Sequence, residues 1–257
     1  MQIPLENMAH LNGSEFSVSE QIDYIFNEDD FRIHSKIGLL STLCRNKDIV
    51  HVGCVDHTIE LIQAKAKKNK WLHKHLADSA KSIIGVDIQK EGLEYIHQTY
   101  GYEVANLDIT HPQPELKSKN YDYLLLPDVL EHIGNPVEFI KKIRESYCDN
   151  INKIIITVPN ALTHENYKNA CKGREIINSD HRFWFTPYTL AKVVVDAGYT
   201  LERFYMIQGV KDKSTRSLKN KLYSIPFVRR YIFKDHILTR GTIVLIASFE
   251  KIAHKLE

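Results

Sequence analysis

The sequence predicts an α/β fold, a doubly wound, mostly parallel seven-stranded sheet with an antiparallel edge strand, helices on both faces and an N-terminal helical cap. Three observations carry that expectation. Short apolar runs alternate with amphipathic segments along most of the 257 residues, the pattern of repeated βα units. Two of the runs, "YDYLLLP" (121–127) and "KIIITVP" (153–159), are nearly all apolar, as central strands covered on both faces must be. Finally, one late helix is followed by two strands, which places an antiparallel edge on the sheet.

In chain order, the first 45 residues precede any sheet strand and are expected as a helical cap over the strands' C-terminal ends. "DIVHVGC" (48–54) is the first strand, and "AKKNKWLHKHLADSAK" supplies a long or doubled first helix. "SIIGVDI" (82–88) is the second strand. In "KEGLEYIHQTYG" (90–101), Leu93, Ile96 and His97 share a helix face and Gly101 is the C-cap. "YEVANLDI" (102–109) is a weaker third strand, and 121–127 the fourth. Asn135 caps the next helix and Pro136 fills its first turn; Val137, Ile140, Ile143 and Tyr147 form its buried stripe. After the fifth strand, "TPYTLAKVVVDAGYTLERFYMI" reads as a helix opened at Pro187 and stopped at Gly198, then a strand; "GTIVLIASFEK" (241–251) is the last. The division is a cap over 1–45 and one domain over 46–257, with a basic and aromatic insertion at about 211–234.

Composition narrows the function. With 43% hydrophobic and 26% charged residues the chain is globular rather than disordered. A net charge of +2 gives no argument for nucleic acid. Cys44, Cys54, Cys148 and Cys171 show no metal-ligand spacing and read as reduced thiols of a cytoplasmic protein. No signal peptide is expected, and no apolar run approaches the ~18 residues that span a bilayer.

Ligands of open α/β sheets sit beyond the strands' carboxyl ends, near the point where strand order reverses. Gly53 in "IVHVGCVDH" lets the chain turn closely past a ligand. Asp87, ending the second strand, can accept both hydroxyls of a ribose, and Asp108, ending the third, is placed for an adenine amino group. Val55 and His57 stand where a dinucleotide fold needs further glycines so that pyrophosphate can approach backbone. The crowded turn argues against NAD and for a cofactor without phosphates, S-adenosylmethionine.

"VHVGC", "GVDI", "NLDI", "DYLLLPDVLEHIGNP", "IIITVPN" and "HRFWFTPYTLAKVVVDAGY" together resemble a class I S-adenosylmethionine-dependent methyltransferase of the small-molecule branch. The match covers about residues 45–210, and "VGCVDH" also resembles methyltransferases of bacterial surface-glycan biosynthesis. The resemblance implies S-adenosyl-L-methionine as cofactor and S-adenosyl-L-homocysteine as product. It places His51, Gly53, Cys54, His57, Asp87, Ile88, Asp108, Ile109 and Asp128 around the cofactor. Two departures stand out: His51 replaces the family's usual acid, and the interval from Gly53 to Asp87 is long.

Methyl transfer to a hydroxyl needs alignment of nucleophile, methyl and sulfur, and a base for the proton. His181, His132 and Asp128 are the catalytic candidates, with His181 the default base. For Asp128, Glu131 and His132 the alternative is a turn cap and loop positioning, and for His181 a role at the start of the helix opened by Thr186-Pro187. Glu131, Asn160 and His164 are the substrate-binding candidates, with Thr163 and Tyr167 weaker; Trp184 and Phe185 read as core. No residue is assigned to a metal. A similar acid-x-x-Glu-His pattern does hold a divalent cation in quinone O-methyltransferases, so a metal-assisted aromatic O-methyltransferase is one alternative. A non-catalytic Rossmann-like binding protein is another, and a nucleotide-sugar oxidoreductase is disfavoured by the missing glycines.

The expected acceptor is a hydroxyl of a small molecule, a sugar or glycan precursor that is anionic or glycan-linked. Residues 211–234 hold eight Lys and Arg against Asp212, so the rest of the chain is net negative. This segment is either a solvated helix pair or a docking patch for an anionic substrate at a membrane surface. No nucleic-acid partner is expected, since an N-P-P-[YF] tetrad is absent and no recognised RNA-binding module is appended.

Overall fold

A computed structural model describes residues 1–32, 35–208 and 236–249. The basic segment 211–234 lies outside them, as does any membrane contact assigned to it. Strand β1 (Asp48–Val52) leads into helix α2 (Ile59–Lys67) and helix α3 (Leu72–Ser79), following α1 (Lys36–Leu43). Then come β2 (Ser82–Asp87), α4 (Lys90–Tyr100), β3 (Val104–Asn106), β4 (Tyr121–Pro127), α5 (Pro136–Tyr147) and β5 (Ile151–Pro159). Helix α6 (His164–Ala170), α7 (Pro187–Asp196), β6 (Tyr199–Ile207) and β7 (Thr242–Phe249) complete the order. The excess between Gly53 and Asp87 is therefore two helices, α2 and α3.

The seven strands lie in the order β3-β2-β1-β4-β5-β7-β6. β1 pairs in parallel with both β2 and β4, so the strand order reverses between β1 and β4. β7 is the reversed strand, antiparallel to β5 and to β6, and it inserts one position in from the edge, leaving β6 outermost. Both faces of the central strands are buried. On β4, Leu124 and Leu126 enter one core and Leu125 the other; on β5, Ile154 and Ile156 oppose Ile155. Sequence caps are realised: Asn135 accepts from the Glu138 amide, and Thr186 with Thr189 closes a capping box at α7.

The N-terminal segment departs from the expected helical cap. Among its described residues only α1 is an α-helix longer than one turn; Leu5–Asn7 is a 3-10 turn running into one α turn at Met8–Leu11, Glu28–Phe31 is a 3-10 turn, and Gln2 bridges Ile25 in an extended stretch. The stretch between them, "NGSEFSVSEQIDYIFN", carries no 3.6-residue apolar period to drive a helix. The buried Arg240 guanidinium instead anchors the segment, donating to the carbonyls of Asp30, Phe31, Arg32 and Met206. Helix α1 packs against the second face through Leu39 and Leu40. No helix among the described residues is long and apolar enough to cross a membrane.

His51 is a buried histidine on β1, turned to the face opposite Val50 and Val52. Its Nδ1 lies 2.9 Å from Nδ1 of His73 on α3, and the rings stack. Gly85, paired with His51 across the strands, makes the space: a Cβ there would lie 2.9 Å from the His73 ring. Burial holds the His51 imidazole well below its usual range and His73 down to about 4. The unfolded chain therefore takes up protons that the folded one refuses, and stability falls as pH drops from about 6.5 towards 4. Urea unfolding is expected to lose about 1.4 kcal/mol per pH unit per imidazole across that window. His73→Phe, which keeps the ring, should flatten the slope; an unchanged slope would show that the pair does not control it.

Candidate active site

Two loops meet where the strand order reverses. Gly53 follows β1 at φ +74°, and a Cβ on it would come within 2.8 Å of Val129 Cγ2 in the loop after β4. His57 and Asp128, in those same loops, also have positive φ, 57° and 53°. Such backbone costs on the order of 1–3 kcal/mol and collects at functional sites.

Asp87 braces this junction. Its Oδ2 accepts the Val55 amide and its Oδ1 the Gln89 amide, both at 3.0 Å. Ile88 beside it is 79% exposed, an apolar surface at the strand end. Asp108 is exposed too, but its Oδ1 accepts the Thr110 amide and hydroxyl, and its Oδ2 faces His111. Burial would raise that carboxyl, yet the Thr110 and His111 contacts outweigh it and hold it below the usual carboxylate range. Asp128 accepts the Thr157 hydroxyl at 2.8 Å and pairs with Lys36 of α1. Lys36, which nothing in the sequence singled out, thus brings the N-terminal segment to the strand ends.

The remaining expected residues divide. His51 pairs with His73 and Cys54 is 2% exposed in a core cluster, where burial pushes its thiol up. Ile109 is likewise core. These three side chains are fold residues rather than cofactor neighbours, because strand alternation and the tight turn direct them inward. Asn160 is fully buried: its amide donates to the Leu238 and Arg240 carbonyls and its oxygen accepts from Leu162. It ties the loop after β5 to the start of β7 instead of meeting substrate. His164 begins α6, exposed beside Tyr167 and away from both cavities described below. Phe185 is core as expected, whereas Trp184 lines a cavity.

Glu131, His132 and His181 converge although 50 residues separate the turn Leu130–His132 from the loop that carries His181. Arg182 makes the join: its amide donates to the Glu131 carbonyl at 2.8 Å and its Nε to the His132 carbonyl at 3.0 Å. The His132 and His181 rings then meet edge to face at 4.8 Å, and His132 Nδ1 lies 3.2 Å from Asp180. His181 takes no part in capping α7. Its Nδ1 is buried and unpartnered, and burial, with His132 next to it, lowers its pKa. Glu131 is fully buried with both carboxylate oxygens unpartnered. Burial first, then the neighbouring Asp128 carboxylate, pushes it up to about 8.

One atom each from Glu131, His132 and His181 lies within 4.8 Å of the others, so the three suit a divalent cation. An open polar cleft of about 560 Å³ runs from His57, in the loop after β1, past His132 to Ser179–Arg182.

Comparison with known proteins bears on the fold. Residues 50–147 match the family described as a methyltransferase domain. The fold superposes on a magnesium protoporphyrin IX methyltransferase from Synechocystis with bound S-adenosylhomocysteine (TM-score 0.51, 14% identity, 89% of this chain and 90% of that one). It also superposes on a putative methyltransferase from Bacillus halodurans (TM-score 0.51, 12% identity, 84% and 99%). This is a class I methyltransferase fold. A third match, the small RNA methyltransferase HEN1, has a TM-score of 0.53 at 17% identity, covering 94% of this chain but 28% of that one. No curated protein sequence matches the chain.

Glu131 makes the site sensitive to alkali. A carboxyl raised to about 8 keeps its proton when folded, whereas the unfolded chain releases it near the ordinary 4.5. Wild-type stability is therefore expected to fall by about 1.4 kcal/mol per pH unit between these values, relative to Glu131→Gln, and then to level off. Chemical denaturation of both proteins in chelator at pH 5.5, 7 and 8.5 checks this; parallel curves would contradict a buried, unpartnered carboxylate.

Proposed function

We propose that the protein transfers a methyl group from S-adenosylmethionine to a hydroxyl oxygen of a small molecule, a sugar or other glycan precursor. The observation that carries this reading is the unpartnered His181 Nδ1 in the cluster that continues from the cofactor loop through His57 and His132. A histidine lowered in pKa is neutral at pH 7 and ready to take a proton.

The cofactor supplies an electrophilic methyl on a sulfonium. Asp87 keeps lone pairs free for the ribose diol, and Ile88 offers its exposed side chain to the adenine. Lys36 and Asp128 present opposite charges at the strand ends, matching the carboxylate and ammonium of the cofactor's amino-acid end. The acceptor oxygen attacks the methyl carbon, the carbon–sulfur pair returns to sulfur, and His181 takes the hydroxyl proton. The polar lining of the cleft, Ser179, Asp180 and Arg182, suits a hydroxylated acceptor.

Glu131 favours a second reading, metal-assisted O-methylation of an aromatic hydroxyl. A buried carboxylate without a hydrogen-bond partner is relieved by a cation, and Glu131, His132 and His181 would hold one. A divalent ion there would supply Lewis-acid acidification of the acceptor hydroxyl. Turnover that survives EDTA supports the first reading; loss in EDTA restored by Mg²⁺ or Mn²⁺ supports the second.

Calorimetric titration separates the cofactor contacts. Asp87→Ala should weaken S-adenosylhomocysteine by 10-fold or more, about 1.4 kcal/mol. Lys36→Met should weaken S-adenosylhomocysteine yet leave 5′-methylthioadenosine, which lacks the amino-acid end, unchanged. Failure of the wild type to bind either S-adenosylmethionine or its demethylated product would end the methyl-transfer reading. With a hydroxyl acceptor that turns over, His181→Ala is expected to lower kcat by about 10²–10⁴-fold.

A further inference from the structure

The stretch between β5 and α7 is longer than the fold requires. Its base is closed by the parallel bridge of Asn160 with Phe185 and by the Ala161 amide on the Phe185 carbonyl at 2.7 Å. Long excursions with pinned ends are where binding surfaces are built. This one supplies His181 to the cluster and also encloses a cavity of about 360 Å³.

That cavity differs from the polar cleft. Its walls are Ala161, Ala170, Ile176 and Trp184, with Arg174 and Glu175 among them. The Trp184 indole N–H donates to Glu175 Oε1 at 2.9 Å, so the ring is fixed and that carboxylate already has one oxygen engaged. Asn166, also in the wall, spends its amide on the Asn160 and Ala161 carbonyls. The Arg174 guanidinium has no hydrogen bond or ion pair among the described residues; only its backbone amide is engaged, by Asn169. An unpaired guanidinium beside an apolar wall and a held indole is the combination that receives a ring carrying an anionic group.

The cavity and the polar cleft share no lining residue, but a row of rings leads from one to the other. His57 and His132 lie 6.1 Å apart, His132 and His181 4.8 Å, and His181 and Trp184 6.4 Å. A molecule whose hydroxyl reached His181 would extend its remaining part towards Trp184. Binding energy drawn from such a remote part is what orients the reacting atom.

We infer that the Trp184–Arg174 cavity is the recognition subsite for the methyl acceptor and that it takes a ring bearing one acidic substituent, a phosphate or carboxylate. This rests on the methyl-transfer reading for its purpose but not for its test.

The test uses intrinsic fluorescence, because the chain has two tryptophans and Trp71 is 1% exposed in the core, leaving Trp184 as the responsive one. Full-length protein is titrated with phenyl phosphate and α-D-glucose 1-phosphate as anionic rings. Phenol and methyl α-D-glucoside are the neutral rings, and inorganic phosphate is the charge alone. At least one anionic ring should bind 10-fold or more tighter than its neutral counterpart and than phosphate. Arg174→Gln should erase that advantage, and Trp184→Phe should abolish the signal while calorimetry still detects weakened binding. Which of the two anionic rings wins separates an aromatic acceptor from a sugar. The inference is overturned if neutral and anionic rings bind alike, if no ring binds, or if Arg174→Gln leaves affinity unchanged. S-adenosylhomocysteine titrated into the same variants reads the cofactor site separately. Normal cofactor binding with indifferent rings removes only the subsite, whereas no cofactor binding by the wild type removes the methyl-transfer reading.

Discussion

The site depends on the absence of one carbon atom. Gly53 turns the chain out of β1 in the left-handed region, and the side chain of Val129 occupies the volume where its Cβ would be. That contact draws the loops after β1 and β4 together across the point where strand order reverses. A Cβ there would have to displace the Val129 side chain, in the loop that also carries Asp128, Glu131 and His132. The loops after β1 and β4 are thus held by one close approach, with Asp87 holding the β1 loop from the other side.

A second layer is built by backbone hydrogen bonds to Arg182 and not by the active groups themselves. Its amide and guanidinium fasten the 178–182 loop to the carbonyls of Glu131 and His132, which leaves the side chains of His132 and His181 facing each other without having to bond. Within this cluster the Glu131 carboxyl and His181 Nδ1 are left without hydrogen-bond partners. Low local dielectric makes that costly for folding and useful for chemistry, since an unpaired acceptor is ready for a proton or a cation. In the buried His51–His73 pair the two Nδ1 atoms bond each other, while His73 Nε2 stays without a partner inside the core.

Much of the sheet was legible because burial on both faces leaves a plain record: β4 and β5 are apolar at nearly every position, and Asn135 and Thr186 announce their helices. The strand-end acids were legible for the same reason, as polar letters closing apolar runs. What the letters did not carry was direction. Ile88 and Ile109 each follow an aspartate at a strand end, yet one is exposed and the other is core. His51 occupies an expected acid position, but its partner lies on a helix 22 residues on. Lys36 and Arg174 are single basic residues with no local pattern, and their importance comes from what the fold places beside them. The N-terminal segment is held by Arg240 through carbonyls, an interaction that leaves no trace in side-chain periodicity.

A crystal structure of the protein with S-adenosylhomocysteine decides where the cofactor lies. The ribose hydroxyls are expected on the Asp87 carboxylate, the amino-acid end between Gly53 and the Lys36–Asp128 pair, and the sulfur facing the cleft of His132 and His181. Density for the ligand elsewhere on the sheet, or a sulfur turned away from those two histidines, would contradict this placement.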